Sequence, residues 1–483
     1  MRLIELLIGD DPLFDMDVID GELDIAGLTC DSRAVRPGFL FAALVGARVD
    51  GRDFIDTAIA QGAVAVLAPV GTRADVAVIE DANVRQRFAR MAANFYGAQP
   101  AHVAAITGTN GKTSTASFLR QIWQRLGYKG ASVGTLGVHG TGFDEPGALT
   151  TPDPVQLHET LSRLADAGVD HVAMEASSHG LEQFRLDGVR LQAAGFTNIS
   201  RDHLDYHGTM RAYLAAKLRL FSQVVTEGGA AVINADSPEG QEVAAVALKR
   251  GLRVLTFGRG GRDIQLKGQV AHGDGQMLSL LINDTPFEIN LPLAGSFQAE
   301  NALCALGLAL AMGADAQAAA MALEHLDGVP GRLQKVGDFG GASVYVDYAH
   351  TPDALQTVLQ ALRPHAQGKL HVMFGCGGDR DAGKRAQMGA IAAKLADRVI
   401  VTDDNPRSED PAGIRGEIMK TCPGALETGD RHEAIRAAVK GLQDGDVLVL
   451  AGKGHEQGQI VGDEVRPFDD VTEAQAAMKE VGA

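Results

Sequence analysis

The segment Ile106-Thr107-Gly108-Thr109-Asn110-Gly111-Lys112-Thr113-Ser114 restricts the fold more than any other part of the chain. A β-branched and alanine-rich run, residues 102–106, leads into it. Behind it Phe118, Leu119, Ile122 and Leu126 recur at helical spacing. Strand, glycine-rich turn and helix in that order aim backbone N–H groups and a helix N-terminus at one point, which suits phosphate. Lys112 is expected to neutralise the outer phosphates of a nucleoside triphosphate, with the Thr113 hydroxyl on Mg²⁺. Ile106 stands where the common G-x-x-x-x-G-K-[ST] spacing has its first glycine, so a Gly-Lys turn capping an ordinary helix is the plain alternative. The strand-turn-helix frame favours the phosphate site, and it makes the chain an α/β protein.

A length of 483 residues points to about three domains of roughly 150 residues each. With 45% hydrophobic and 22% charged residues there is ample core. The net charge of −17 argues against nucleic acid or an anionic membrane as partner, but leaves local phosphate pockets open. Cys30, Cys304, Cys376 and Cys422 show no C-x-x-C pair or metal spacing, so reduced thiols and a cytoplasmic setting are expected. Residues 1–8 lack a targeting pattern. The longest apolar stretch, residues 301–314, is shorter than the roughly 20 residues a bilayer span needs and is expected to be a core helix.

Three regions follow. Residues 1–90 show short strands near 28–33, 38–44 and 63–67 and a helix near 54–61, with no catalytic cluster, and are expected to hold substrate. Residues 91–330 alternate strands (103–106, 171–174, 194–197, 230–233) with helices, the pattern of a parallel sheet. The first three strands run into polar loops: the phosphate turn, Glu175-Ala176-Ser177-Ser178-His179, and Asn198-Ile199-Ser200-Arg201-Asp202-His203. Ligands of such sheets collect beyond the carboxyl ends of the strands. The turn Gly328-Val329-Pro330-Gly331-Arg332 opens residues 331–483, a Rossmann-like domain with strands at 343–346, 370–374, 398–401 and 447–450. Those strands end in Asp347-Tyr348-Ala349-His350, Gly375-Cys376-Gly377-Gly378-Asp379-Arg380, Asp403-Asp404-Asn405-Pro406-Arg407 and Gly452-Lys453-Gly454-His455-Glu456.

Glu175 suits Mg²⁺, which prefers oxygen ligands, and His203 is a further ligand or water-orienting group. Asp347, with His350 behind it, is a candidate for the ribose or the metal. Arg332 is a candidate cation for the transferring phosphate. For these last residues a plain salt bridge is the alternative. Lys217, on an otherwise apolar helical stretch, is by sequence alone a surface lysine snorkelling beside that face.

Together Asp31-Ser32-Arg33, Thr107-Gly108-Thr109-Asn110-Gly111-Lys112-Thr113, Glu175-Ala176-Ser177-Ser178-His179-Gly180, Asn198 to Asp205, Asp347-Tyr348-Ala349-His350-Thr351-Pro352 and Asp404-Asn405-Pro406-Arg407 resemble the Mur ligase family over the whole length. That family builds the peptide stem of bacterial cell-wall precursors, and the likeness is to the branch that adds the third residue. The resemblance implies a three-domain, ATP-dependent amide ligase: an N-terminal mixed α/β uridine-binding domain, a central parallel-sheet ATPase domain and a C-terminal Rossmann-like domain. It implies that ATP meets Gly108, Thr109, Asn110, Gly111, Lys112, Thr113, Ser114, Asn301, Arg332 and Asp347. It implies that a UDP-muramyl dipeptide meets Cys30, Ser32, Ala47, Arg48, Val49, Thr150, Thr151, Ser177, Gln183 and Arg185. Two Mg²⁺ ions are implied at Thr113, Glu175, His203 and Lys217, the last as a carbamate, which displaces the surface reading. Lys112, Glu175, His203, Lys217 and Arg332 become the catalytic set, in a monomeric enzyme serving cell-wall growth, shape and division.

The incoming amino acid can be argued from charge. Arg380 and Arg407 lie at strand ends of the third region, and an arginine fork takes a carboxylate in bidentate fashion. meso-Diaminopimelate carries a distal carboxylate, whereas lysine ends in a bare ammonium. Asp404, Asn405, Pro406 and Arg407 also resemble the family's diaminopimelate signature, with Glu456 for the distal amine and a Gly452 carbonyl beside it. An L-lysine-adding homologue and a folylpolyglutamate synthase-like ligase are the alternatives within the superfamily. A nucleotide-driven switch or motor is the alternative outside it, and leaves Arg380, Arg407 and Glu456 without a task.

Overall fold

The computed structural model describes residues 1–8, 21–46, 49–147 and 149–482. They divide into two compact units, Met1–Ile264 with Leu303–Ala319, and Gln265–Ala302 with Ala320–Ala483.

The first unit holds two sheets. Strands β1 (Gly27–Thr29), β2 (Phe39–Ala42), β3 (Ala63–Ala68) and β4 (Ala77–Glu80) pair in sequence order, all parallel. The helix Val84–Tyr96 starts at Asn83, whose side chain accepts the Gln86 N–H. It buries Val84, Phe88 and Met91 against Leu3, Leu40 and Leu67.

The second sheet carries β5 (His102–Thr107), β6 (Gly130–Gly134), β7 (Gly137–Gly140), β8 (Phe143–Glu145), β9 (His171–Glu175), β10 (Leu191–Phe196), β11 (Val225–Asn234) and β12 (Arg253–Gly258). Their order is β12-β11-β10-β5-β9-β6-β7-β8. From β12 to β6 all pairs are parallel, and β6-β7-β8 continue antiparallel. Val103, Ala104, Ala105 and Ile106 are wholly buried, as befits a parallel strand covered on both faces. Because β5 lies between β9 and β10, the turns that follow these three strands open at one edge of the sheet. The expected core helix is Ser296–Ala311, and its Leu303, Cys304 and Leu308 are fully buried.

The second unit is built on a six-stranded sheet in the order Gln334–Phe339, Ala342–Asp347, Val447–Ala451, Leu370–Phe374, Arg398–Val401, Leu426–Glu427. The first pair is antiparallel and the others parallel. Alternate residues feed opposite faces. Val447 and Val449 meet the helices Pro352–Leu362, Gly383–Leu395 and Pro411–Met419, while Leu448 and Leu450 meet Arg431–Lys440 and Asp470–Val481. A hairpin, Gly275–Ile282 with Thr285–Leu291, was not expected from the sequence. It turns at Asn283 and Asp284, both left-handed (φ +45° and +65°). Among the described residues no helix is long and apolar enough to cross a membrane.

Candidate active site

The phosphate turn leaves β5 through two glycines that nothing else replaces. A Cβ on Gly108 would lie 1.9 Å from Thr197 Oγ1, and Gly111 is left-handed (φ +86°) at the start of the helix Lys112–Arg125. No side chain caps that helix, so its first N–H groups are left for an anion. Lys112 Nζ folds back to donate to the carbonyls of Gly108 (2.9 Å) and Thr109 (2.8 Å). The loop after β10 is tied to this turn: Ser200 N donates to Thr109 Oγ1 (3.0 Å) and Asn110 N to Asn198 Oδ1 (3.0 Å).

Glu175, the last residue of β9, is 2% exposed. Its carboxylate accepts from Thr113 Oγ1 (3.0 Å), Thr135 N (2.8 Å) and Thr135 Oγ1 (3.3 Å). Gly134 makes room for it, since a Cβ there would sit 2.2 Å from Glu175 Oε1. A carboxylate beside a threonine hydroxyl is a hard oxygen set suited to Mg²⁺, which keeps several waters and needs only one or two protein ligands. No group of three potential ligands among His, Cys, Asp and Glu is assembled among the described residues.

His203 adopts a left-handed backbone (φ +53°), lies 3.4 Å from Asp202 Oδ2 and stacks edge-on to His179, ring centroids 5.0 Å apart. Burial, with His203 and His207 adding to it, pushes His179 down to about 4, so its ring is neutral at neutral pH. His207 is held by Ser178 Oγ (2.9 Å) and Glu182 (3.0 Å). Sequence reasoning assigned no role to His179, His207 or Thr135; the His203/His207 spacing on one short helical turn was the available signal.

Lys217 is 1% exposed, which overturns the surface alternative drawn from sequence alone. The helix Met210–Arg219 turns this side chain inward, where Nζ donates to the Gly108 carbonyl at 2.8 Å and lies 4.4 Å from the Tyr213 ring centroid. Burial, followed by the neighbouring Lys112 charge, drives its ammonium well below the ordinary lysine value, with Asp202 opposing.

Five of the residues proposed by resemblance for the dipeptide, Thr150, Thr151, Ser177, Gln183 and Arg185, are joined by hydrogen bonds that lead to Glu175. Thr150 Oγ1 lies 2.9 Å from Thr135 Oγ1. The buried Thr151 hydroxyl donates to the Glu175 carbonyl (2.9 Å) and accepts from Ser177 N (3.0 Å). Ser177 caps the helix Ser178–Glu182 by accepting from Gly180 N. Arg185 donates to the Thr151 carbonyl (2.6 Å) and, through Nη2, to Gln183 Oε1 (2.8 Å). Burial lowers the Arg185 guanidinium, and the groups close enough to act on it include Asp153, Arg85 and Cys30. Cys30 is exposed, and Ser32 opens a short 3₁₀ turn capped by Asp31. Val49 is exposed; Ala47 and Arg48 lie outside the described residues.

Within the second unit, Asn301 donates to Gln298 Oε1 (3.0 Å), Gln298 donates to the Arg332 carbonyl (2.9 Å), and the Arg332 guanidinium lies 4.6 Å from the Tyr348 ring centroid. Asp347 accepts from Leu333 N (2.6 Å) and Ala349 N (2.7 Å). Burial raises its carboxyl to about 6 against the pull of Arg332. His350 is exposed, its Nδ1 paired with the Tyr348 carbonyl.

The three remaining loops meet at the carboxyl ends of their strands. Asn405 Nδ2 donates to Glu456 Oε2 (2.9 Å), and a Cβ on Gly452 (φ +115°) would lie 2.6 Å from Asp404 Oδ2. Arg407, left-handed at φ +52°, donates from Nη1 to the Gly378 carbonyl (2.9 Å). Gly378 in turn packs on Pro406, where a Cβ would sit 1.9 Å from the carbonyl oxygen. Arg380 is exposed at the rim of this cluster. Lys453, wholly buried, was not singled out from sequence and sits at its centre.

Residues 24–96 match the Mur ligase family, catalytic domain; residues 106–309 the Mur ligase middle domain; and residues 331–454 the Mur ligase, glutamate ligase domain. The chain is 53% identical over 479 residues to the UDP-N-acetylmuramoyl-L-alanyl-D-glutamate–2,6-diaminopimelate ligase of Bradyrhizobium diazoefficiens, covering 98% of each. It is 55% identical to the ligase of the same name from Caulobacter vibrioides, covering 95% of this chain and 96% of the other. A solved structure of a ligase with that name aligns with a TM-score of 0.76 at 34% identity, over 100% of this chain and 99% of the other. The MurF ligase of Thermotoga maritima in complex with ADP shares the fold (TM-score 0.63, 20% identity, 95% and 98% covered). The chain belongs to the Mur ligase family.

Proposed function

We propose that this chain is an ATP-dependent ligase that joins meso-diaminopimelate to the D-glutamate γ-carboxylate of UDP-N-acetylmuramoyl-L-alanyl-D-glutamate, in peptidoglycan precursor synthesis. Near-full-length identity of 53–55% to ligases of that name carries the reading. The domains are taken as residues 1–90 for the UDP-muramyl substrate, 91–330 for ATP and 331–483 for the amino acid, in a cytoplasmic monomer.

In this reading Lys112 and the uncapped N–H groups behind Gly111 bind the β- and γ-phosphates, while Asn301, Arg332 and Asp347 serve the rest of the nucleotide. Thr113, Glu175 and His203 hold Mg²⁺. Lys217, its neutral amine favoured by burial and by Lys112, takes up CO₂ as a carbamate and releases a proton, adding an oxygen ligand. Bound Mg²⁺ lowers the repulsion between two anionic reactants. Ser177, Gln183 and Arg185 orient the dipeptide so that its γ-carboxylate attacks the γ-phosphorus, breaking the bond to ADP and giving an acyl phosphate. Lys112 and Arg332 stabilise the charge that develops on the phosphate oxygens. Arg380 and Arg407 hold the distal carboxylate of diaminopimelate, and Glu456 its distal amine. The other amine attacks the acyl carbon, phosphate leaves, and the amine loses a proton.

Phosphate release should require ATP, the UDP-muramyl dipeptide and meso-diaminopimelate together. Equal turnover with L-lysine would refute the amino-acid assignment. Release with ATP alone would replace ligation by plain hydrolysis.

A further inference from the structure

The reaction as written leaves the buried Lys453 without a task. Its side chain is 0% exposed, and Nζ donates to Asn405 Oδ1 at 2.9 Å and lies 3.5 Å from Glu456 Oε2. Asn405 closes the triangle by donating from Nδ2 to the same glutamate oxygen at 2.9 Å, while its Oδ1 also accepts from Ile460 N at 3.0 Å. Asn405 and Glu456, two residues of the proposed amino-acid site, are thus fastened to one ammonium. Burial lowers that ammonium's pKa, helped by Arg431, while Asp404 and Glu456 favour its charged form. Arg431 is itself paired with the buried Asp470, whereas Lys453 reaches Glu456 at 3.5 Å and is drawn to its charged form by Asp404 as well.

We infer that Lys453 is a specificity-determining residue: its charge offsets one of the two cluster carboxylates, so the site accepts a neutral zwitterionic head group and rejects a bare ammonium. The inference rests on reading this cluster as the amino-acid site. A bare ammonium carries one positive charge and binds best where two carboxylates stand uncompensated. A zwitterionic amino-acid head needs one net negative charge for its amine and one cation for its carboxylate: Lys453, 3.5 Å from Glu456 Oε2, leaves Asp404 and Glu456 with one net charge between them, and Arg407 meets the carboxylate. Removing a unit charge about 5 Å from a bound group, at an effective dielectric constant of about 20, changes relative affinity by roughly tenfold or more.

The test is Lys453→Met, which keeps the length of the stem and deletes the charge. kcat/KM is measured for meso-diaminopimelate and for L-lysine, with KM for ATP and the thermal midpoint alongside. The ratio of the two kcat/KM values should fall at least about tenfold through a rise for L-lysine, with KM for ATP within about twofold. A gain with one substrate is something a damaged fold does not produce. Lys453→Arg, which keeps the charge, should retain the parent ratio. An equal loss with both amino acids overturns the inference. Lys453→Gln replaces Lys453→Met if the latter fails to fold; failure of both makes the lysine structural and also overturns it. If the parent protein itself uses neither amino acid, the functional reading has failed rather than this one.

Discussion

The Arg219–Asp187 pair is where a single deletion has the best-defined cost. Both side chains are under a tenth exposed, 9% and 8%. Arg219 Nη2 donates to Asp187 Oδ1 at 2.6 Å, and Gln86 Nε2 donates to the same oxygen at 2.7 Å. The guanidinium also donates to the Leu181 carbonyl (3.0 Å) and lies 4.0 Å from the Phe184 ring centroid. Phe184 is left-handed at φ +59°, a conformation that an aromatic residue keeps only when its surroundings impose it. Arg219 ends the helix that carries Lys217, and Phe184 and Asp187 belong to the turn that carries Gln183 and Arg185.

Asp187→Ala leaves the guanidinium buried against one carbonyl, and an uncompensated buried charge costs about 3–5 kcal/mol. Unfolding entropy of about 2.1 cal/mol/K per residue, over a first unit of roughly 280 residues, converts that to a loss of about 5–8 °C in Tm. Arg219→Met should cost a similar amount, since it strands the carboxylate instead. The double variant should be less destabilised than the sum, because replacing both charges by apolar groups removes the desolvation penalty along with the attraction. Thermal melts of the parent, the two single variants and the double variant decide it. KM for the UDP-muramyl dipeptide should rise more than KM for ATP. A Tm within 2 °C of the parent for Asp187→Ala, or strict additivity in the double variant, would show that the pair is not coupled.

Gly134→Ala places a Cβ 2.2 Å from Glu175 Oε1, pushing the carboxylate off Thr113; kcat should fall by about two decades, and an unchanged kcat in an ADP-release assay refutes the metal role of Glu175. Arg407→Ala should raise KM for diaminopimelate by roughly one to two decades with ATP binding intact, as a lost charge-assisted contact requires; an unchanged KM gives Arg407 another task. Asp347, raised to about 6 from an ordinary 3.8, contributes stability that is complete below about pH 4 and is lost as pH rises through 6. The Tm of Asp347→Asn minus that of the parent should therefore climb between pH 4 and 6.5 and then level, and a flat difference refutes the raised value.

The central strands were legible because a parallel strand buried on both faces reads as an apolar run, as at residues 102–106. The phosphate turn was legible because strand, loop and helix are contiguous. The hairpin Gly275–Ile282 and Thr285–Leu291 was missed although Leu278, Leu280 and Ile282 alternate with more exposed residues before Asn283-Asp284. The site was harder, because its members come from turns that sheet order makes neighbours. The turns that carry Lys112, Glu175 and His203 open at one sheet edge only because β5 lies between β9 and β10. Buried cations show where pattern reasoning stops. Lys217 reaches a carbonyl 109 positions away and Lys453 an amide 48 positions away, and neither segment carries a local mark of it. A lysine's burial is set by what folds over it, and desolvation lowers both ammoniums, Lys217 with the help of Lys112 and Lys453 against the opposing pull of Asp404 and Glu456. Resemblance supplied a role for Lys217, whereas Lys453 entered only through its hydrogen bonds. The charge that Lys453 sets beside Glu456 is thus a property of the folded cluster, made by side chains that only the fold brings together.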